Sequence, residues 1–306
     1  MVSISIIVVS QDTRELAVKF LRSLAVYGHL DGEVLLVDNA SVDGTAEDAC
    51  ATGAGGLVLK VIRRKGRRPL PDNRNLGAKL SKGDIFLFCD SDIIFADPNF
   101  FETLKLDFAR YNPDIVCPLI LNMDDDRVQS AGVAHWGPSY VFRMCFHDLD
   151  KQNVPPMVFS VDMVHGACFA IKREAFGRLV GFDEMMAPFN FEEMDLAIRA
   201  KKSGMKMIAD TRIYVRHLGM GTSGRVKRKL KGFYLVRHMF RSMIRNEGNR
   251  AYLMMPLYWL IVSGAAIFQR YGAPDFVLKA ITWAVRNRSY PLKVSEPKDY
   301  EVVCER

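Results

Sequence analysis

Asp90-Ser91-Asp92 places two carboxylates directly after the apolar run Ile85-Phe86-Leu87-Phe88-Cys89. A run of that kind reads as a strand buried on both faces of a parallel sheet. Open α/β sheets bind ligands at the carboxyl ends of their strands, so both side chains face a ligand crevice. Carboxylates beside an apolar core are costly unless paired; a divalent cation bridging them to a diphosphate would keep them ionised. The plain alternative is a strand that ends in an acidic turn.

A second carboxylate occupies the same kind of position. Val34-Leu35-Leu36-Val37 runs into Asp38-Asn39-Ala40-Ser41, and Asp38 at a strand end can accept a hydrogen bond from a nucleotide base or a ribose hydroxyl. Equally, Asp38, Asn39 and Ser41 could serve only turn and cap hydrogen bonds. A third acidic group, Glu192-Glu193-Met194-Asp195, opens a helical pattern. Taken alone it reads as a solvated helix N-terminus, favoured by the dipole, with Asp195 and Arg199 paired at i, i+4.

These groups need a scaffold, and the first half of the chain supplies an alternating one. Strands are expected at Ser3–Val9, Val34–Val37, Leu57–Ile62 and Asp84–Cys89, with helices at Arg14–Tyr27, Asp43–Cys50 and Asn73–Leu80 between them. That rhythm implies an α/β fold with a mainly parallel central sheet and helices on both faces. Met1–Ser10 reads as the first buried strand rather than a signal peptide. Residues 122–165 are irregular, broken by Gly132, Gly137, Pro138, Pro155 and Pro156. Glu192–Lys202 is a helix, and Ile208–Val215 contains a strand. A domain boundary is placed near residue 224, with residues 225–306 forming a helical extension.

Charge separates the two parts. Residues 1–200 carry 21 Lys/Arg against 28 Asp/Glu, and residues 201–306 carry 21 against 7. The basic C-terminal third suggests contact with phosphate, acidic lipid or nucleic acid. Arg237, Arg241 and Arg245 recur at i+4 beside Phe233, Val236, Phe240 and Met243, and Ala251–Phe268 then contains no charge. Three readings of this extension stand: attachment to an anionic membrane face, packing on the catalytic domain or a second subunit, and a span across the bilayer. Nucleic acid is disfavoured, because no recognised binding fold or aromatic platform accompanies the charge. Cys50, Cys89, Cys117, Cys145, Cys168 and Cys304 show no metal-like spacing and are expected as reduced thiols in a cytosolic protein.

The motifs together resemble glycosyltransferase family 2, whose members share the A-type nucleotide-sugar fold. The resemblance continues in chain order through Arg74-Asn75-Leu76-Gly77, Lys82-Gly83-Asp84, His165-Gly166-Ala167, Ile171 to Phe176, Gly181-Phe182-Asp183-Glu184 and Glu192 to Arg199. It implies a nucleotide-diphosphate sugar donor, with donor contacts from Ser10, Asp38, Arg74, Asp90 and Asp92. It implies Mg2+ or Mn2+ held by Asp90, Asp92 and His217. Gly166, Asp183, Glu192 and Asp195 fall on the acceptor side. Relatives usually carry Glu-Asp where this chain has Glu192-Glu193, so Glu193 takes the place of the general base, alone or sharing the role with Glu192. Ser10-Gln11-Asp12 departs from the common Ser/Thr-Tyr-Asn. The run Arg63 to Arg68 is either a solvated loop or a phosphate contact.

The expected activity is an inverting, metal-dependent transfer of a sugar to a glycan or lipid-linked acceptor, in surface polysaccharide or glycolipid synthesis. The expected location is cytoplasmic, peripheral to the inner face of the cell membrane, with a homo-oligomer possible. Val37 to Ser41 and Gln129-Ser130-Ala131-Gly132 resemble the rhamnosyltransferase-type branch. The competing reading is a catalytically inactive nucleotide-sugar module that serves as a membrane or partner platform.

Overall fold

The computed structural model describes residues 2–27, 30–135, 142–219, 228–268, 274–296 and 298–306. The chain begins with β1 (Ile4–Ser10), α1 (Arg14–Ser23), β2 (Gly32–Asp38), α2 (Thr45–Thr52), β3 (Val58–Arg64), α3 (Leu70–Leu80) and β4 (Ile85–Asp90). The four strands are parallel neighbours in the order β4-β1-β2-β3. The near-continuous apolar stretches of β1, β2 and β4 are buried on both faces, which is what helix-covered parallel strands require. Asp38 and Asp90 therefore emerge together at one end of the sheet.

The second half follows with β5 (Ile93–Phe95), α4 (Phe100–Tyr111), β6 (Ile115–Asn122), β7 (Val128–Ser130), β8 (Val133–His135), β9 (Phe142–Met144), β10 (Val158–Ser160), β11 (Cys168–Lys172), α5 (Arg173–Arg178), α6 (Glu192–Lys202) and β12 (Met207–His217). Along the main path β10-β12-β6-β11-β4-β1-β2-β3-β13, six of nine strands point the same way; β10, β11 and β13 are reversed. Reversed β11 beside β4 matters most. It brings the turn His165-Gly166-Ala167 against the tip of β4, where the Asp90 N–H donates to the Ala167 carbonyl at 2.9 Å. The short β5 pairs with the end of β12 and sets His217 opposite Ile93, beside Asp92.

The expected helix at 14–27 ends at Ser23 and continues as a 3-10 turn over Ala25–Tyr27. The expected boundary near 224 lies outside the described residues, as do Gly137 and Pro138. Three helices close the chain: α7 (Arg228–Glu247), α8 (Asn249–Phe268, with Pro256 inside it) and α9 (Pro274–Arg286). Among the described residues no helix is long and apolar enough to cross a membrane. Of the three readings of this extension, packing on the catalytic domain matches the structure. Val236, Phe240, Met243, Ala280 and Ala284 share one core cluster with Phe182 and Leu196.

The basic stripe corrects the reasoning that pointed it at a membrane. Arg241 is buried, donating to Asp183 at 3.0 Å, and Arg245 bonds both Asp183 and Asp195 at 2.5 Å. Arg237 packs against Trp283, 4.4 Å from its guanidinium carbon to the ring centroid. The stripe faces inward because two buried carboxylates await it there.

A second correction concerns the cysteines. β13 (Tyr300–Glu305) returns to pair antiparallel with β3, and Cys304 forms a disulfide with Cys50 on α2. Cys89, Cys117 and Cys168 are buried free thiols and Cys145 is half-buried. Cys50 and Cys304 therefore depart from the reduced thiols expected from spacing. The bridge joins residues 254 apart and pins a strand that covers the edge of β3. Replacing Cys304 by serine is expected to lower the urea midpoint by the equivalent of about 2–4 kcal/mol, and reductant should reproduce that loss in the native protein.

Candidate active site

Arg74 organises the site. It sits on α3, whose Gly77 lies so close to β1 that a Cβ there would come 2.4 Å from Ile7 Cγ2. That close approach lets Arg74 reach the strand tips. Its Nη2 donates to Asp90 Oδ1 at 2.9 Å and to the Gly166 carbonyl at 2.8 Å, and its Nη1 to Glu192 Oε1 at 3.3 Å. Its guanidinium lies over the Phe182 ring at 5.6 Å. The neighbouring Asn75 bonds both the N–H and the C=O of Phe182, each at 2.9 Å, so one helix fixes both the arginine and the ring beneath it.

Beside Arg74, and sharing Asp90 with it, stands a group able to hold a cation. Ligand atoms of Asp90, Asp92 and His217 all lie within 4.8 Å of one another. His217 Nε2 is 3.3 Å from Asp92 Oδ1 and 3.8 Å from Asp90 Oδ2. Gln129 explains the ring's orientation. Its amide nitrogen donates to the His217 carbonyl at 2.9 Å, which turns Oε1 toward His217 Nδ1 at 2.7 Å. Nδ1 must then carry the proton, and the Nε2 lone pair faces the carboxylates. Burial works to lower the His217 pKa, but Asp92 and Asp90 outweigh it and hold it raised. The pull that favours a proton on Nε2 equally favours a divalent cation, and two carboxylates with an imidazole suit Mn2+ or Mg2+.

The two glutamates that open α6 have unusual acidities. Burial, then repulsion from Glu193, pushes Glu192 up to about 8 against the opposing pull of Arg74. Burial also raises Glu193, again opposed by Arg74. Near neutral pH Glu192 therefore holds a proton, and the two carboxyls titrate as a coupled pair beside Arg74. Glu193 passes close over the backbone at Gly166, where a Cβ would lie 2.8 Å from its carboxyl carbon. Desolvation of half-buried His165, then the charges of His217 and Arg74, hold it down to about 4, so it stays neutral.

The resulting cavity, about 590 Å³, is lined by Arg74, Asp90, Asp92, His217, Glu192 and Glu193, with Asn39, Arg67 and Arg68 at its other side. Six of the residues expected from the sequence thus meet in one space, with Gly166 in its wall. Four do not. Asp38 and Ser10 are fully buried outside the lining. Ser10 is hydrogen-bonded to Thr13 at 2.6 Å. Asp38 stands 3.5 Å from Arg63, and burial raises its pKa. Asp183 and Asp195, expected on the acceptor side, are fully buried and occupied by Arg241, Arg245 and Arg199. Arg199 and Arg245 hold the Asp195 pKa down although burial would raise it. Their carboxylates anchor α7 and are not available to an acceptor. Gln129 and His165 are the site residues that the sequence offers only as parts of motifs, without a role in the site.

A cavity at the carboxyl ends of parallel strands, with an Asp-X-Asp tip, a histidine and an acidic helix facing it, defines the nucleotide-sugar transferase class of fold. The sequence comparison agrees. The family model described as glycosyl transferase family 2 matches residues 5–180, and the chain belongs to that family of glycosyltransferases. It is 28% identical over 190 residues to human polypeptide N-acetylgalactosaminyltransferase 10, covering 58% of this chain and 31% of that protein. Polypeptide N-acetylgalactosaminyltransferase 3 of Drosophila melanogaster is 23% identical over 206 residues, 62% of this chain and 30% of that protein. The chain thus spans under a third of the length of these curated relatives.

Among solved structures, a mannosyltransferase from Pyrobaculum calidifontis with GDP-Man and Mn2+ superposes with a TM-score of 0.57 at 15% identity, covering 94% of this chain and 87% of that one. GalNAc-T7 with UDP, GalNAc and Mn2+ gives 0.56 at 19%, covering 71% and 43%. S. aureus TarS 1-349 with UDP-GlcNAc gives 0.54 at 16%, covering 82% and 69%. These likenesses establish the A-type nucleotide-sugar fold.

Proposed function

We propose that this chain transfers a sugar from a nucleotide-diphosphate donor to a hydroxyl of a glycan or lipid-linked acceptor, with inversion at the anomeric carbon, in surface polysaccharide or glycolipid synthesis. The observation that carries this reading is Arg74 joining Asp90 to Glu192 in one cavity that the cation group and the acidic pair both line. The solved neighbours named above with GDP-Man, UDP and UDP-GlcNAc support a nucleotide-sugar donor.

Asp90, Asp92 and His217 would hold Mg2+ or Mn2+, which when bound supplies the charge that neutralises the departing diphosphate. Glu193 takes the proton from the acceptor hydroxyl as its oxygen attacks the anomeric carbon. Glu192, protonated, adds no second negative charge beside it. Arg74 keeps the two groups in register, and the neutral His165 adds no positive charge near the cation.

The test is to incubate the protein with a panel of nucleotide sugars, Mn2+ and oligosaccharide acceptors and to read the new glycosidic bond by NMR. A product of anomeric configuration opposite to the donor is expected. Retained configuration would remove Glu193 from its role as base.

A further inference from the structure

A second cleft, about 830 Å³, lies beside the catalytic cavity, and the two share Arg68, Pro188 and Tyr234 in their linings. Its walls come from α3, from the turn before α6, from α7 and α9, and from residues 293–299. Its charges are unevenly satisfied. The four carboxylates in its lining are all engaged: Asp72 by Arg64, Glu184 by the Ser295 N–H, Glu296 by Lys79 and Asp299 by Arg68. Three cations are not. Arg237, Lys293 and Lys298 make no salt bridge to any carboxylate among the described residues.

Arg237 is the most informative of them. Its guanidinium carbon lies 4.4 Å from the Trp283 ring centroid, 4.9 Å from that of Tyr234 and 5.7 Å from that of Phe233. It donates to the Ala187 carbonyl and lies 2.8 Å from His238 Nε2, while its buried Nε–H has no acceptor. A guanidinium fixed in a half-buried aromatic setting without a counter-ion is costly, and an oxyanion from outside would offset that cost. Lys293 and Lys298 are exposed at the same cleft and add attraction for the same charge. Arg68 is paired with Asp299 across solvent at 2.9 Å, a contact weak enough to exchange.

We infer that this cleft binds an anionic group, phosphate or carboxylate, carried by the acceptor glycan, with Arg237 as the anchor and Arg68, Lys293 and Lys298 around it. The inference rests on the transferase reading, since the shared wall is what places an acceptor bound here next to the Glu193 cavity. It also accounts for part of the positive charge of the C-terminal third that α7 does not spend on Asp183 and Asp195.

The experiment titrates the full chain by calorimetry with three matched tetrasaccharide probes: neutral, uronic-acid-bearing and phosphorylated. The expected result is at least tenfold tighter binding of an anionic probe than of the neutral one, about 1.4 kcal/mol. Preference for the phosphorylated or the uronic-acid probe identifies which oxyanion the cleft takes. Lys293→Glu with Lys298→Glu, two surface changes, should erase the preference, and Arg237→Gln should do so too if its melting temperature is preserved. Equal affinity for all three probes, or a preference that survives the lysine changes, overturns the inference. Binding of UDP and GDP with Mn2+ to the native chain is read separately. Its failure would count against the transferase reading while leaving an observed preference for anionic probes to stand for the cleft.

Discussion

Replacing Arg74 by alanine is expected to destabilise the protein by about 3–5 kcal/mol and to abolish sugar transfer, because it leaves buried charge without its partner. Arg74 faces Asp90, Glu192 and Glu193, and all three raise its own pKa against the lowering effect of burial. Without the guanidinium, the pKa values of these carboxyls should rise further above those of the unfolded chain. Groups shifted upward support folding when protonated and lose that support as pH rises through the folded value. The deficit of the variant should therefore be smallest near pH 4–5 and grow toward pH 8 and beyond, the region where Glu192, at about 8, already titrates. Urea unfolding of both proteins across that range checks the sign. A deficit that shrinks with rising pH, or none at all, would show that Arg74 does not pull the pKa values of these carboxyls down.

Glu193→Gln should lower the transfer rate by about 10²–10⁴-fold, the range for loss of a general base, while leaving nucleotide affinity nearly unchanged. The amide keeps the shape and removes the acceptor of the proton. Because burial raises Glu193, the acidic limb of the native pH–rate profile should lie above the range of an exposed glutamate. That limb should vanish from the residual activity of the variant. Steady-state kinetics over pH separates this from a binding defect. An unchanged rate would move the base to Glu192 or elsewhere.

Much of this site was legible because its residues lie at strand ends and helix starts that punctuate the sequence. Asp90-Ser91-Asp92 follows an apolar run that could only be a buried strand, and β4 ends at Asp90. Arg74 and Gly77 belong to one helical turn, and the reach of the arginine depends on the missing Cβ three residues later. The misreadings share a different physics. Asp183 and Asp195 look like acceptor carboxylates because their cations, Arg241 and Arg245, lie 50 to 62 residues later in sequence yet fold directly onto them. β13 gave no strand signal, since Tyr300–Glu305 is a half-exposed edge segment whose partner is β3 and whose disulfide partner, Cys50, is 254 residues earlier. Gln129 has no chemistry of its own; only its two contacts to His217 give it meaning.

Calorimetric titration of Mn2+ with UDP or GDP into the native protein and into Asp92→Asn tests the cation group most directly. Asp92 is nearly buried and lies 3.3 Å from His217 Nε2, so its loss should remove one of three ligands without opening the fold. The expected result is nucleotide binding that requires the metal and weakens by about 10–100-fold in the variant. Nucleotide binding of equal strength in EDTA, and equally strong in Asp92→Asn, would contradict a cation bridging these side chains to a diphosphate.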